Sequence, residues 1–110
     1  MKNHLLILAL LLTSATAFAQ NALFNEILGR PTDQSVTMSA LFNQTVQVYF
    51  EYGTDPANLS SRTATFTGQA GVPVVTDFQP LRANTRHYYR TVFKTSNAPG
   101  FQFGPLRTFH

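Results

Sequence analysis

Val46-Gln47-Val48-Tyr49-Phe50-Glu51-Tyr52 decides the fold class. Successive side chains of an extended strand point to opposite faces. Val46, Val48, Phe50 and Tyr52 therefore line one face, and Gln47, Tyr49 and Glu51 the other. Gly53-Thr54-Asp55-Pro56 ends the run with strong turn punctuation. The same alternation extends outward in both directions. Toward the N-terminus, residues 35–41 (SVTMSAL) set Val36, Met38 and Ala40 against Ser35, Thr37 and Ser39. Residues 22–29 read as a first strand entering a turn at Arg30-Pro31-Thr32-Asp33. Toward the C-terminus, residues 61–67 (SRTATFT) read as a polar edge strand. Residues 71–78 hold another, with Pro73 near its start, where the missing N–H does least harm. Residues 87–94 (HYYRTVFK) form a sixth strand, and residues 101–109 a seventh. Gly104-Pro105 interrupts the seventh and suggests a bulge or kink.

No stretch after the first twenty residues keeps a helical period for more than about two turns. Seven short strands at roughly 8–12-residue spacing, with turn signals between them, predict an all-β, seven-stranded antiparallel sandwich. The expected core is Val36, Met38, Val48, Phe50, Phe78, Leu81, Tyr89 and Phe93.

The first nineteen residues have a different character. Lys2 supplies a positive start, residues 5–12 (LLILALLL) a short apolar run, and Ala17-Phe18-Ala19 a small-residue cleavage site. This is the pattern of a secretory signal peptide. A membrane span needs ~20 apolar residues, which this run does not reach. Residues 1–19 are therefore expected to be removed, and residues 20–110 to form the sandwich in a periplasmic, cell-surface or extracellular setting. No cysteine occurs anywhere. An exported domain of about 90 residues must then hold together by its core alone, with a modest margin. Asn43-Gln44-Thr45 and Asn58-Leu59-Ser60 match the N-glycosylation pattern, which matters only in a eukaryotic secretory route.

Charged residues make up 12% of the chain, about half the usual share. The net charge of +3 is carried by scattered cations, too sparse for a nucleic-acid footprint. If His87, Tyr89, Thr91 and Phe93 face inward, then Arg86, Tyr88, Arg90, Val92 and Lys94 line the opposite face. With Tyr49 and Glu51 from residues 46–52, that stripe is either a solvated face with cross-strand pairs or a docking face for a partner domain or for an anionic or glycan surface. The candidate docking residues are Tyr49, Glu51, Arg86, Tyr88, Arg90 and Lys94.

Leu81-Arg82-Ala83-Asn84-Thr85-Arg86-His87-Tyr88-Tyr89-Arg90 resembles the L-x-P-x-T-x-Y corner between strands E and F of fibronectin type III domains. More narrowly, it is similar to the L-x-P-N-T-x-Y-Y-Y-R form at the N-terminal β-sandwich of purple-acid-phosphatase-like metallophosphoesterases. Val48-Tyr49-Phe50-Glu51-Tyr52-Gly53-Thr54-Asp55-Pro56 resembles that family's V-x-V-x-Y-G-T-x-P hairpin, and Leu106-Arg107-Thr108-Phe109 its final strand. The resemblance covers about residues 22–110. It implies a fibronectin type III or immunoglobulin-like sandwich in which the strands at residues 46–52 and 87–94 are neighbours, so that Glu51 is expected beside Arg90, with Tyr49 and Tyr88 packed on the same face. Ala83 replaces the usual Pro, and His87 the usual Tyr whose hydroxyl bonds a nearby backbone group. Either the His87 imidazole makes that bond with shorter reach, or Tyr88 or Tyr89 takes it over. A contact of His87 with a partner domain is the other reading.

The resemblance implies a phosphatase neighbour in cis, with two metal ions held by D-x-H, G-D-x-x-Y and G-N-H-[DE] segments. None occurs here. The acids Glu26, Asp33, Glu51, Asp55 and Asp77 are scattered, and no G-x-S-x-G, Cys nucleophile or Gly-rich phosphate loop is present. The expected function is a non-catalytic accessory domain with no metal or cofactor, truncated before a catalytic domain. The alternative is a stand-alone exported fibronectin type III-like binding or adhesion module. Neither expectation includes a nucleic acid, or a membrane once the signal is cleaved.

Overall fold

The structure, a computed structural model, describes residues 24–110. The expected signal segment, and Ala22 and Leu23 of the expected first strand, lie outside them. None of the described residues is helical. The strands are β1 (Phe24–Gly29), β2 (Val36–Phe42), β3 (Val46–Gly53), β4 (Ser61–Arg62), β5 (Phe66–Gly68), β6 (Val74–Phe78), β7 (His87–Thr95), β8 (Gln102–Phe103) and β9 (Arg107–Phe109). A smaller sheet has the order β1-β2-β6, and a larger one the order β4-β3-β7-β8, with β5 also on β3 and β9 also on β7. Every pairing between these strands is antiparallel.

The two sheets meet through aromatic rings. Phe24 and Phe42 of the smaller sheet reach Phe93 of the larger at centroid distances of 5.3 and 5.9 Å. Phe78 reaches Phe50, Tyr52 and Tyr89. Val36, Met38, Val48, Phe50, Phe78, Tyr89 and Phe93 are buried as the alternation predicts. Leu81 is only half-buried, packed against the core's margin.

Nine strands stand where seven were expected, because two expected strands are each split by a bulge. On β3, Glu51 pairs with Arg62, but Val48 pairs with Phe66. Three residues, 63–65, thus oppose two, Tyr49 and Phe50. Thr63 fills the gap: its N–H donates to the Phe50 carbonyl at 2.9 Å, and its hydroxyl accepts the Phe50 N–H at 3.1 Å. On β7, Val92 pairs with Phe103, but Tyr89 pairs with Arg107. Residues 104–106 again put three against two, and the Gly104 N–H donates to the Thr91 carbonyl at 2.8 Å. A β-carbon on Gly104 would lie 3.1 Å from that carbonyl, so the close approach suits glycine.

An extra residue reverses which face the following side chains take. Arg62 therefore stays on the outer face with Glu51, while Phe66 turns to the core. Phe103 stays outside with Val92, while Arg107 turns to the inner side with Tyr89, and Phe109 with His87. Both bulges sit in edge strands, where they also blunt the free ladder against pairing with another chain.

Candidate functional site

The outer face of the larger sheet is built on the β3–β7 ladder. Glu51 stands directly across from Arg90, and the Arg90 Nε–H donates to Glu51 Oε1 at 2.7 Å. The pair forms because β-strand alternation puts both residues on one face and the register makes them neighbours. It is partly exposed, so it contributes about 0–1 kcal/mol and favours the register without holding the fold.

Arg62 continues the same cross-strand row on the other side of Glu51. Its guanidinium lies over the Tyr49 ring, 4.2 Å from the centroid. Arg90 lies over the Phe103 ring at 4.6 Å. Phe101 packs on Tyr49 with centroids 5.4 Å apart. The face is thus a layer of cations on rings, with Phe101 41% and Phe103 56% exposed at its margin.

One expectation about this face needs correction. Tyr49 does point outward, but it is buried beneath Arg62 and Phe101, and Val92 beside it is buried as well. The returning segment at β8 supplies the cover, so Tyr49 supports the surface instead of presenting itself. Tyr49 and Tyr88 do share this face. Tyr88 stands opposite Gly53 and Tyr49 opposite Val92, with the Glu51–Arg90 pair between them. Tyr88 is half-buried on this face, and Lys94 lies at its far end opposite Gln47. Arg86 is exposed in the corner just before β7. Sequence reading missed Arg62, Phe101 and Phe103. A bulge in each edge strand hid which face they take.

A second polar group lies between the sheets. Glu26 on β1 faces inward, and its side chain is 5% exposed. The Thr91 hydroxyl donates to Glu26 Oε2. Arg107 Nε lies 2.8 Å from Oε1, yet its N–H is not directed at that oxygen, which has no hydrogen-bond partner. That contact is one of charge alone. Burial, and secondarily the Glu26 carboxylate, raises the pKa of Tyr89 above the usual phenol range, while Arg107 pulls it down. The folded phenol holds its proton more tightly than the unfolded one. Its contribution to stability is whole below the unfolded pKa of ~10 and is lost as pH climbs through the folded value. Tyr89→Phe is therefore expected to flatten the alkaline arm of the stability curve. Denaturant midpoints measured from pH 8 to 11.5 check this, and equal slopes for both proteins would refute it.

The β6–β7 corner is pinned by two side chains. The His87 Nδ1–H donates to the Thr85 carbonyl at 2.9 Å, and Nε2 accepts the Arg82 N–H at 3.3 Å. These partners select the Nδ1–H tautomer. His87 itself, and neither Tyr88 nor Tyr89, makes the corner bond. Tyr52 adds a second tie from β3, donating to the Gln79 carbonyl at 2.8 Å and accepting its N–H at 3.2 Å. Asn84 takes the left-handed conformation at φ 53°, which asparagine tolerates. Beside the corner, a cleft of about 350 Å³ opens toward the β1–β2 turn, with Val36, Leu81, His87 and Phe109 among its walls. A backbone bond from Leu81 N–H to the Gln34 carbonyl, 2.7 Å, ties the two loops together.

Among the described residues, no three or more His, Asp or Glu side chains gather as a metal site would require. Comparison with known protein families, curated proteins and solved structures finds no match to this chain.

Proposed function

We propose that this chain is a non-catalytic accessory β-sandwich, exported by its first nineteen residues, that docks on a partner domain through the outer face of its larger sheet. The fold reading behind this is the fibronectin type III-like arrangement of purple-acid-phosphatase-like N-terminal domains. The adjacency of β3 and β7, which corresponds to that of strands C and F, supports it. So does a corner tied to its own backbone by an imidazole where that family has a phenol. On this reading the partner is a metallophosphoesterase catalytic domain.

The observation that carries the docking reading is the pair of exposed rings, Phe101 and Phe103, set beside ordered arginines. Aromatic and arginine side chains are enriched where proteins meet. Phe103→Ser is expected to change stability by less than about 1 kcal/mol, because it removes an exposed ring and one cation–π contact. It is expected to weaken association with a metallophosphoesterase catalytic domain supplied in trans by about tenfold or more. Titration calorimetry with that domain is the test, and unchanged affinity would refute the docking face.

One observation favours a stand-alone binding module instead. The cleft beside the corner lies between two loops at one end of the two sheets, where a sandwich can vary its loops without disturbing the core. Binding of a small ligand there, lost on Leu81→Trp, would move the assignment to that reading.

A further inference from the structure

We infer that the surface this face fits is an acidic protein surface, presenting carboxylates to Arg62 and Arg90 on either side of Glu51 and apolar groups to Phe101 and Phe103. The inference rests on the docking reading and specifies the partner's chemistry.

Charge balance points first to the partner's sign. Arg62, Arg90 and Lys94 share the face with a single carboxylate, Glu51. That carboxylate is already engaged through Oε1 by Arg90. Among the described residues, Arg62 has no carboxylate within 4.0 Å. The face therefore holds surplus positive charge that a basic partner would meet with repulsion and an acidic one would neutralise.

Geometry points to carboxylates in particular. A guanidinium lying on an aromatic ring has its planar fork oriented before any partner arrives. Arg62 is set in this way on Tyr49, and Arg90 on Phe103. Arg90 is held further by its Nε bond to Glu51, which leaves its two terminal nitrogens for another acceptor. Both arginines and Glu51 occupy one row across β4, β3 and β7. Two strand spacings separate the arginine backbones, about 10 Å. Bidentate pairing with carboxylates suits such fixed forks, and little side-chain entropy is left to lose.

The exposed rings separate a protein partner from a polyanion. A sulfated or phosphorylated polymer is held by dense cations, and its affinity scales with the number neutralised. Three cations spread over this face are few for that purpose. Phe101 and Phe103 at its margin supply the apolar contact that a protein interface needs and a polyanion does not.

The test follows the Nε–Hε signals of Arg62 and Arg90 in the 15N-labelled protein. The probes are a blocked peptide alternating Glu and Leu, a matched Lys–Leu peptide, and a heparin fragment. The Glu–Leu peptide is expected to shift both arginine signals saturably, and the Lys–Leu peptide to leave them unmoved. Arg62→Glu and Phe103→Ser are each expected to weaken the Glu–Leu complex about tenfold. Silence with the Glu–Leu peptide overturns the inference. So does heparin binding that moves the same signals and is indifferent to Phe103→Ser, which assigns the face to polyanions. The two variants then separate this idea from its premise when the catalytic domain is supplied in trans. Loss of binding with both supports the inference. Loss with Phe103→Ser and none with Arg62→Glu keeps the docking face and overturns the acidic partner. Indifference to both removes the docking face itself.

Discussion

Phe78→Ala is expected to destabilise the fold by about 3–5 kcal/mol, the usual range for deleting a buried aromatic ring. Phe78 ends β6, an edge of the smaller sheet, yet it is fully buried. Its ring stacks on Tyr52 with centroids 4.7 Å apart and planes 10° off parallel. It also meets Phe50 and Tyr89 at 5.7 Å each. One side chain from the smaller sheet thus contacts three rings on the two central strands of the larger. Alanine would leave a cavity that rigid rings and β-branched neighbours fill poorly. It would also free Tyr52, whose hydroxyl ties Gln79 at the start of the corner. A domain of this size has a total stability of ~5–15 kcal/mol, so the loss is a large share of it. Val75 lies on the same strand with its side chain in solvent, and Val75→Ala is expected to stay within about 0.5 kcal/mol. Urea midpoints for the two variants are the measurement. A cost below about 2 kcal/mol for Phe78→Ala would mean that the sheets do not meet through this ring.

Arg107→Ala is expected to cost about 1–3 kcal/mol, and Glu26→Gln in the same background to recover most of it. The reason is asymmetric burial. Glu26 is almost wholly enclosed between the sheets, whereas the Arg107 side chain is 52% exposed. Removing the arginine leaves a buried carboxylate with one hydroxyl donor, Thr91, and an oxygen that nothing hydrogen-bonds. Breaking a fully buried pair costs ~3–5 kcal/mol, and the lower figure here allows for water reaching the arginine side. Glutamine keeps an acceptor for Thr91 while removing the charge, so the double variant isolates the cost of charge from that of shape. Denaturant unfolding of the two single variants and the double closes the cycle. Additive losses with no recovery would show that Glu26 does not depend on Arg107.

Much of this was legible in residues read one strand at a time. Alternation in Val46 to Tyr52 placed Val48 and Phe50 in the core, and alternation from His87 onward placed Tyr89 and Phe93 there. The same two patterns put Glu51 and Arg90 on one face, and the resemblance to fibronectin type III sandwiches, in which these two strands are neighbours, set them side by side. A period of two is a property of the extended backbone itself, so a single chain segment carries it. Gly104-Pro105 likewise marked a break in the last strand, because neither residue sits well in a continuous ladder.

What the segments did not carry is set between them. A bulge exists only relative to a partner strand, so nothing in residues 61–67 alone shows that Arg62 and Phe66 face opposite ways. The bulge at residues 104–106 turns Arg107 inward, and only that turn brings it to Glu26 on a strand from the opposite end of the chain. Read locally, Glu26 is one more scattered acid; enclosed between two sheets, it is a charge that Thr91 and Arg107 must satisfy. Tyr49 shows the same division. Alternation sent it outward correctly, and the return of β8 across the edge then buried it. Direction along a strand is local stereochemistry and is decided by sequence, whereas cover, register and charge environment come from segments distant in the chain and are decided only when the sheets assemble.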